Sequence, residues 1–204
     1  MKHDFRRIFR GELARRDAAD LQARWRRLAA NVLAFCREEL ALPPGAVVAL
    51  FGGLPDEADL WTGLHAEFRE AGWPAALFAL RQDAESGGAA REMTARVVEG
   101  PAQALRGRFG NWEPAADAPA VEPGTLAAVC VPGLFFCAET GARLGRGGGY
   151  FDRYLERVPE HVPRVGVALS WQLRCDFPTE AHDQAMHWVV TEEGWRACRS
   201  CNDV

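Results

Sequence analysis

From Arg143 to Asp152 the chain reads Arg-Leu-Gly-Arg-Gly-Gly-Gly-Tyr-Phe-Asp, so four of the five residues 145–149 are glycine. Gly145, Gly147, Gly148 and Gly149 carry no Cβ. They can therefore take φ > 0 and let several backbone N–H groups converge on one anion. Arg143 and Arg146 add forked guanidinium groups of the kind that match phosphate oxygens, and a helix starting after Gly149 would add its own unpaired N–H groups. Together these parts would hold a polyphosphate. Asp152 then needs a reason, because a carboxylate beside phosphate is repulsive unless a cation such as Mg²⁺ lies between them; its presence points to a metal–nucleotide. A glycine-rich surface turn is the plain alternative. The dinucleotide pattern G-x-G-x-x-G fails at Tyr150, and no Gly-Lys-Ser/Thr follows to make a P-loop.

The elements that must position this loop are legible as periodic segments. Apolar residues 127–136 read as the central strand that delivers it, and residues 150–158 as the helix that follows. Residues 46–51 form a continuous apolar run before Gly52-Gly53, as expected of a buried parallel strand. A helix near residues 58–71 and a second strand over 74–80 complete a βαβ unit. Residues 93–98 and 164–169 read as further strands, and 187–191 as the last. Residues 81–92 read as a polar loop, and 105–114 as neither helix nor strand. The aromatics Phe109 and Trp112 there either stack on a flat heterocycle or pack down. At the N-terminus, residues 5–16 read as a short helix and a second begins after a cap at Asp17 or Asp20.

Several polar residues have two readings. Arg6 and Arg10 lie one helical turn apart and can reach one anion from the same side, or form a solvated basic face. Glu57 sits where open α/β sheets place ligand groups, but acidic residues also favour helix N-termini. Asp183 is a possible second metal carboxylate or a loop cap. Cys198-Arg-Ser-Cys201 is a lone CxxC, weak support for zinc.

The chain has 204 residues with 48% hydrophobic content, enough for a large core in one domain, 1–204. It shows neither a long uncharged apolar run nor a secretory leader, so the cytosol is the expected location. Six scattered cysteines read as reduced thiols rather than a disulfide framework. Residues 1–40 carry ten Lys/Arg against six Asp/Glu in a chain of net charge −4. That modest excess favours a phosphate ligand over nucleic acid.

With these residues assembled, the chain resembles the 5-formyltetrahydrofolate cyclo-ligase family, also called methenyltetrahydrofolate synthetases. The resemblance runs through Arg6 and Phe9-Arg10-Gly11-Glu12-Leu13, Pro55-Asp56-Glu57, Phe109 to Pro114, and Pro178 to Asp183. It is strongest at Val131-Pro132-Gly133-Leu134 followed by Arg143 to Asp152. It departs at Phe136 to Gly141, which lacks the usual aspartate and is one residue longer, at Leu60 in place of a threonine, and at His187 in place of an aspartate.

The resemblance implies a three-layer αβα fold with a mostly parallel sheet, preceded by an N-terminal helical arm. The implied enzyme uses ATP and Mg²⁺ to close 5-formyltetrahydrofolate to 5,10-methenyltetrahydrofolate, as a monomer with no nucleic-acid or membrane partner. By position, Arg6, Arg10 and the run Arg143, Leu144, Gly145, Arg146, Gly147, Gly148, Gly149, Tyr150 and Phe151 would contact ATP. Asp152 and Asp183 would hold the metal. Glu57, Phe109 and Arg146 to Tyr150 would border the folate, with Arg146 and Tyr150 as the catalytic residues. A sugar-phosphate isomerase-like enzyme and a non-catalytic folate- or nucleotide-binding relative are the competing expectations.

Overall fold

A computed structural model describes residues 2–80, 92–180 and 182–199. Helix α1 (Lys2–Ala14) precedes α2 (Ala18–Glu38), which begins at Asp17, whose carboxylate accepts the Ala19 and Asp20 N–H groups at 3.0 Å each. Asp17 is therefore the cap, and Asp20 lies in the first turn. Strand β1 (Val48–Leu50), α3 (Leu60–Glu70) and β2 (Ala75–Leu80) form the expected βαβ unit, with Asp59 capping α3. The remaining strands of the main sheet are β3 (Met93–Val98), β6 (Ala120–Val121), β7 (Ala128–Pro132), β10 (Arg164–Val167), β11 (Trp188–Thr191) and β12 (Gly194–Ala197). Two small ribbons, β4 (Ala104–Arg106) with β5 (Trp112–Pro114) and β8 (Phe135–Phe136) with β9 (Arg143–Leu144), stand outside it. Helix α4 covers Tyr150–Leu155.

The main sheet runs β12-β11-β10-β7-β1-β2-β3-β6. Its five central strands, β11 to β2, are parallel, and the antiparallel pairs are at the edges. From β1 the chain moves one way to β2 and later the other way through β7 and β10. The junction of β1 and β7 is thus the topological switch point, where open α/β sheets leave a crevice beyond the strands' carboxyl ends.

Side-chain alternation separates the two layers of helices. Val48 and Leu50 face one side with α2 and α3, where Phe35, Leu64 and Phe68 are buried. Ala49, Val129 and Val131 face the other, with Tyr154 and Leu155 of α4. A third, smaller cluster around Phe135 docks α1. This is the three-layer αβα arrangement with its N-terminal helical arm. Among the described residues, no helix is long and apolar enough to cross a membrane.

Four local expectations change. Residues 104–114 form a hairpin rather than irregular chain, with the Arg106 guanidinium 3.7 Å over the Trp112 ring; Gly107 and Gly110 at its turn hide the strand period. The strand expected over 127–136 breaks at Gly133-Leu134, and its end pairs with β9 instead of the main sheet. β11 is not the last strand, because Thr191 and Gly194 close a tight turn into β12. Finally, Cys137 and Cys175 are joined by a disulfide, contrary to the reading of six free thiols, because Leu173 pairs alongside Phe136 and brings the two sulfurs together. The 81–91 part of the polar loop, and Cys201 of the CxxC, lie outside the described residues.

Candidate active site

A cavity of about 390 Å³ opens at the switch point. Gly52-Gly53 after β1, Pro132-Gly133 at the end of β7 and residues 145–149 line it. Gly147 and Gly149 have φ of 96° and 64°, the left-handed region that favours glycine. Close approach is the second reason for glycine: a Cβ on Gly147 would stand 2.4 Å from Nη2 of Arg6. Arg6 thus reaches from α1 onto the loop backbone, and its Nε is buried without a protein hydrogen-bond partner. A bare loop beneath a guanidinium with an unanswered donor is what a phosphate group would complete. Arg10, one turn along α1, is exposed. Because α4 is only six residues long, the loop amides and arginines matter more here than a helix dipole does.

The two loop arginines do different things. Arg143 is buried under the loop, donating from Nη2 to Asp152 Oδ1 at 2.6 Å and from Nη1 to the Pro132 carbonyl at 3.2 Å. It lines the cavity, yet much of its hydrogen-bonding capacity braces β7 and α4. The cation neutralising Asp152 is therefore Arg143. Arg146 instead crosses to the turn between β1 and α3, donating to both Asp56 oxygens at 2.6 and 3.1 Å and to Glu57 at 2.8 Å. Burial opposes its charged form, but Glu57 and Asp56 outweigh that, and its pKa is raised. The other Glu57 oxygen accepts the Leu54 N–H at 3.1 Å.

The remaining candidates divide by whether they reach the cavity. Tyr150, Phe151, Glu57 and Phe109 line it. Phe109 is 47% exposed at the hairpin tip, with the Arg108 guanidinium 4.4 Å over its ring, whereas the Trp112 indole N–H is held by Asp59 at 2.8 Å; of the two aromatics, Phe109 is the more exposed. Leu144 packs in the cluster below the loop, so only its backbone belongs near a ligand. Asp183 accepts from Lys2 at 3.0 Å and from the Glu180 N–H at 2.8 Å. It caps its loop and is absent from the cavity lining that contains Asp152.

A hard divalent cation fits Asp152 through the oxygen that Arg143 leaves free, with phosphate oxygens completing the shell. Asp183 stands outside that cavity, paired with Lys2 and grouped with Glu180 and His182, whose ligand atoms lie within 4.8 Å of one another. The sequence reading missed Asp56 as a partner of Arg146. It also missed the apolar wall of Phe51, Phe78, Leu80 and Met93, residues that read as ordinary strand core.

Comparison with known proteins bears on this geometry. The model of the 5-formyltetrahydrofolate cyclo-ligase family matches residues 79–192, more than half of the chain. The chain belongs to the 5-formyltetrahydrofolate cyclo-ligase family. The match takes in the glycine loop, Asp152, Asp183 and Phe109, and leaves the α1 arginines and Glu57 outside. A 5-formyltetrahydrofolate cyclo-ligase of Saccharomyces cerevisiae is 36% identical over 78 residues, which is 36% of this chain and 37% of the yeast protein. One from Mycolicibacterium smegmatis is 35% identical over 92 residues, 45% and 47% of the two chains. These alignments thus span less than half of either relative. The solved structure of the Aquifex aeolicus 5,10-methenyltetrahydrofolate synthetase superposes with a TM-score of 0.73 at 29% identity, covering 97% of this cyclo-ligase family member and 93% of that chain. The Mycoplasma pneumoniae synthetase, at 17% identity and TM-score 0.72, shares the fold.

Proposed function

We propose that this protein, acting as one domain, cyclises 5-formyltetrahydrofolate to 5,10-methenyltetrahydrofolate with consumption of ATP and release of ADP and phosphate. The observation that carries the reading is that one cavity joins two unlike ends. A glycine loop under Arg6 suits a triphosphate, while Phe109 and the apolar wall suit a flat heterocycle beside the carboxylates of the β1–α3 turn.

The chemistry explains why both ends are needed. A formamide oxygen is a poor leaving group. In the proposed reaction that oxygen attacks the γ-phosphorus and displaces ADP; N10 then attacks the activated carbon, and the C–O bond breaks to release phosphate. The protein's task is positioning and charge neutralisation, so no covalent nucleophile is required. Loop amides, Arg6 and Arg10 would orient the phosphates, and Asp152 would hold Mg²⁺ against them. A bound Mg²⁺ would neutralise charge on the transferring group. Arg146 and Tyr150, both in the cavity lining, would act at the reacting centre, and Glu57 would border the folate. A sugar-phosphate isomerase would instead need a free acid/base carboxylate, whereas Glu57 is tied to Arg146 and the Leu54 amide.

Absorbance of the methenyl product, followed with ATP, Mg²⁺ and 5-formyltetrahydrofolate, tests the proposal. Product should form only when all three are present. Folate binding with no product under any condition would leave a non-catalytic relative.

A further inference from the structure

The smallest apolar cluster, built on Phe9, Leu134, Phe135, Cys137, Leu144 and Phe177, holds α1 against the hairpin that carries the glycine loop. Phe5 and Phe9 meet Phe135 edge-on at 6.2 and 6.0 Å. Six buried residues are a small core on which to dock a helix, and this core contains the Cys137–Cys175 bond. The cross-link joins the residue after β8 to the segment beside Leu173, spanning 38 positions that include β9, the glycine loop, α4 and β10. Strand β8 is paired with β9 on one edge, while the Arg174 N–H donates to the Phe136 carbonyl at 2.9 Å on the other. The disulfide fastens that second edge covalently.

We propose that Cys137–Cys175 is a redox modification site, opened by a low-molecular-weight thiol at Cys175, whose state sets how firmly α1 and the glycine loop are held for nucleotide. Only the last step rests on the nucleotide reading given above. Cys137 is 2% exposed and Cys175 is exposed, so an external thiolate reaches the Cys175 sulfur. Attack there forms a mixed disulfide at Cys175, breaks the S–S bond, and releases the Cys137 sulfur, which takes up a proton. A second thiol attacks the external sulfur, freeing Cys175 and leaving with the first thiol as their disulfide. Two external thiols are oxidised and one protein disulfide is reduced; an external disulfide reverses the exchange. The other described cysteines are poor competitors. Burial pushes the Cys36 thiol up to about 12, and holds Cys130 well above its ordinary value. Cys198, chiefly through burial, is raised to about 11.

Opening the bond leaves the third cluster with noncovalent contacts alone, and both Arg6 and the β8–β9 hairpin depend on that cluster. The effect should therefore be local, at the loop and α1, rather than in the sheet. The test uses the full chain in oxidised and dithiothreitol-reduced forms, together with Cys175→Ser at the exposed position. The measurements are non-reducing peptide mapping, hydrogen exchange and Mg-ATP titration.

A 137–175 cross-linked peptide is expected in the oxidised form. Reduction should speed exchange in residues 2–14 and 134–149 and weaken ATP binding by about fivefold or more. Cys175→Ser should resemble the reduced protein and ignore dithiothreitol. No cross-linked peptide after oxidation, unchanged exchange on reduction, or a serine variant that still responds would overturn the proposal. A response in exchange with no ATP binding in either form would support the redox brace and overturn the nucleotide reading instead.

Discussion

Arg143 in β9 and Arg146 in the loop after it stand three residues apart and both face carboxylates, yet their surroundings differ. In the Arg143–Asp152 pair the side chains are 4% and 17% exposed, and the contact joins two pieces of scaffold beneath the loop. Arg146 is 36% exposed and bridges two walls of an open cavity. A buried pair can be costly to break because the partner left behind is an uncompensated charge. In the Arg146 cluster the Asp56 contact is partly open to water and salt, and Glu57, 12% exposed, keeps the Leu54 N–H as a second partner. The same residue type is therefore a strut in one place and, in the proposed function, a ligand group in the other.

That contrast can be broken most forcefully at Arg143. Arg143→Ala should destabilise the protein by about 3–5 kcal/mol, read from urea unfolding, because Asp152 loses its partner. A variant with wild-type stability would remove the strut. Arg146→Ala should lower turnover about a hundredfold and cost less stability than Arg143→Ala, because Glu57 keeps the Leu54 N–H; normal kinetics would take Arg146 out of the site.

Asp152→Asn keeps an amide oxygen for Arg143 but removes the charge offered to a metal. Turnover should fall about tenfold and half-saturation by Mg²⁺ should move to higher concentration. An unshifted Mg²⁺ titration would leave Asp152 with only its structural pairing. The smallest effect is expected at the far end of the cavity, where Phe109→Ala should raise the KM for the folate about fivefold with kcat nearly unchanged. A change confined to the KM for ATP would put Phe109 at the wrong end.

The parallel strands were legible because each is a short, largely apolar run, and burial on both faces leaves such a run little alternative. The glycine loop was legible for a related reason, since four glycines in five positions need an explanation wherever they fall. The division of labour between Arg143 and Arg146 was not, because it depends on Pro132 and Asp152 lying under one and Asp56 and Glu57 lying across from the other. Asp183 illustrates the same limit. Its loop cap was one of two readings, and the Lys2 ammonium that also meets it comes from the other end of the chain. Phe78 and Met93 looked like core and are core, but their packed ends also face the cavity. The Cys137–Cys175 pairing needed the register between Phe136 and Leu173, a long-range contact with no local signature.

The proposed grip of residues 145–149 on a triphosphate is best tested by following their backbone amides by NMR during titration with Mg-ATP. Shifts should concentrate at Gly145 to Gly149 and at the Arg6 side chain, saturating together. Shifts that saturate elsewhere on the molecule while these amides stay still would contradict the account.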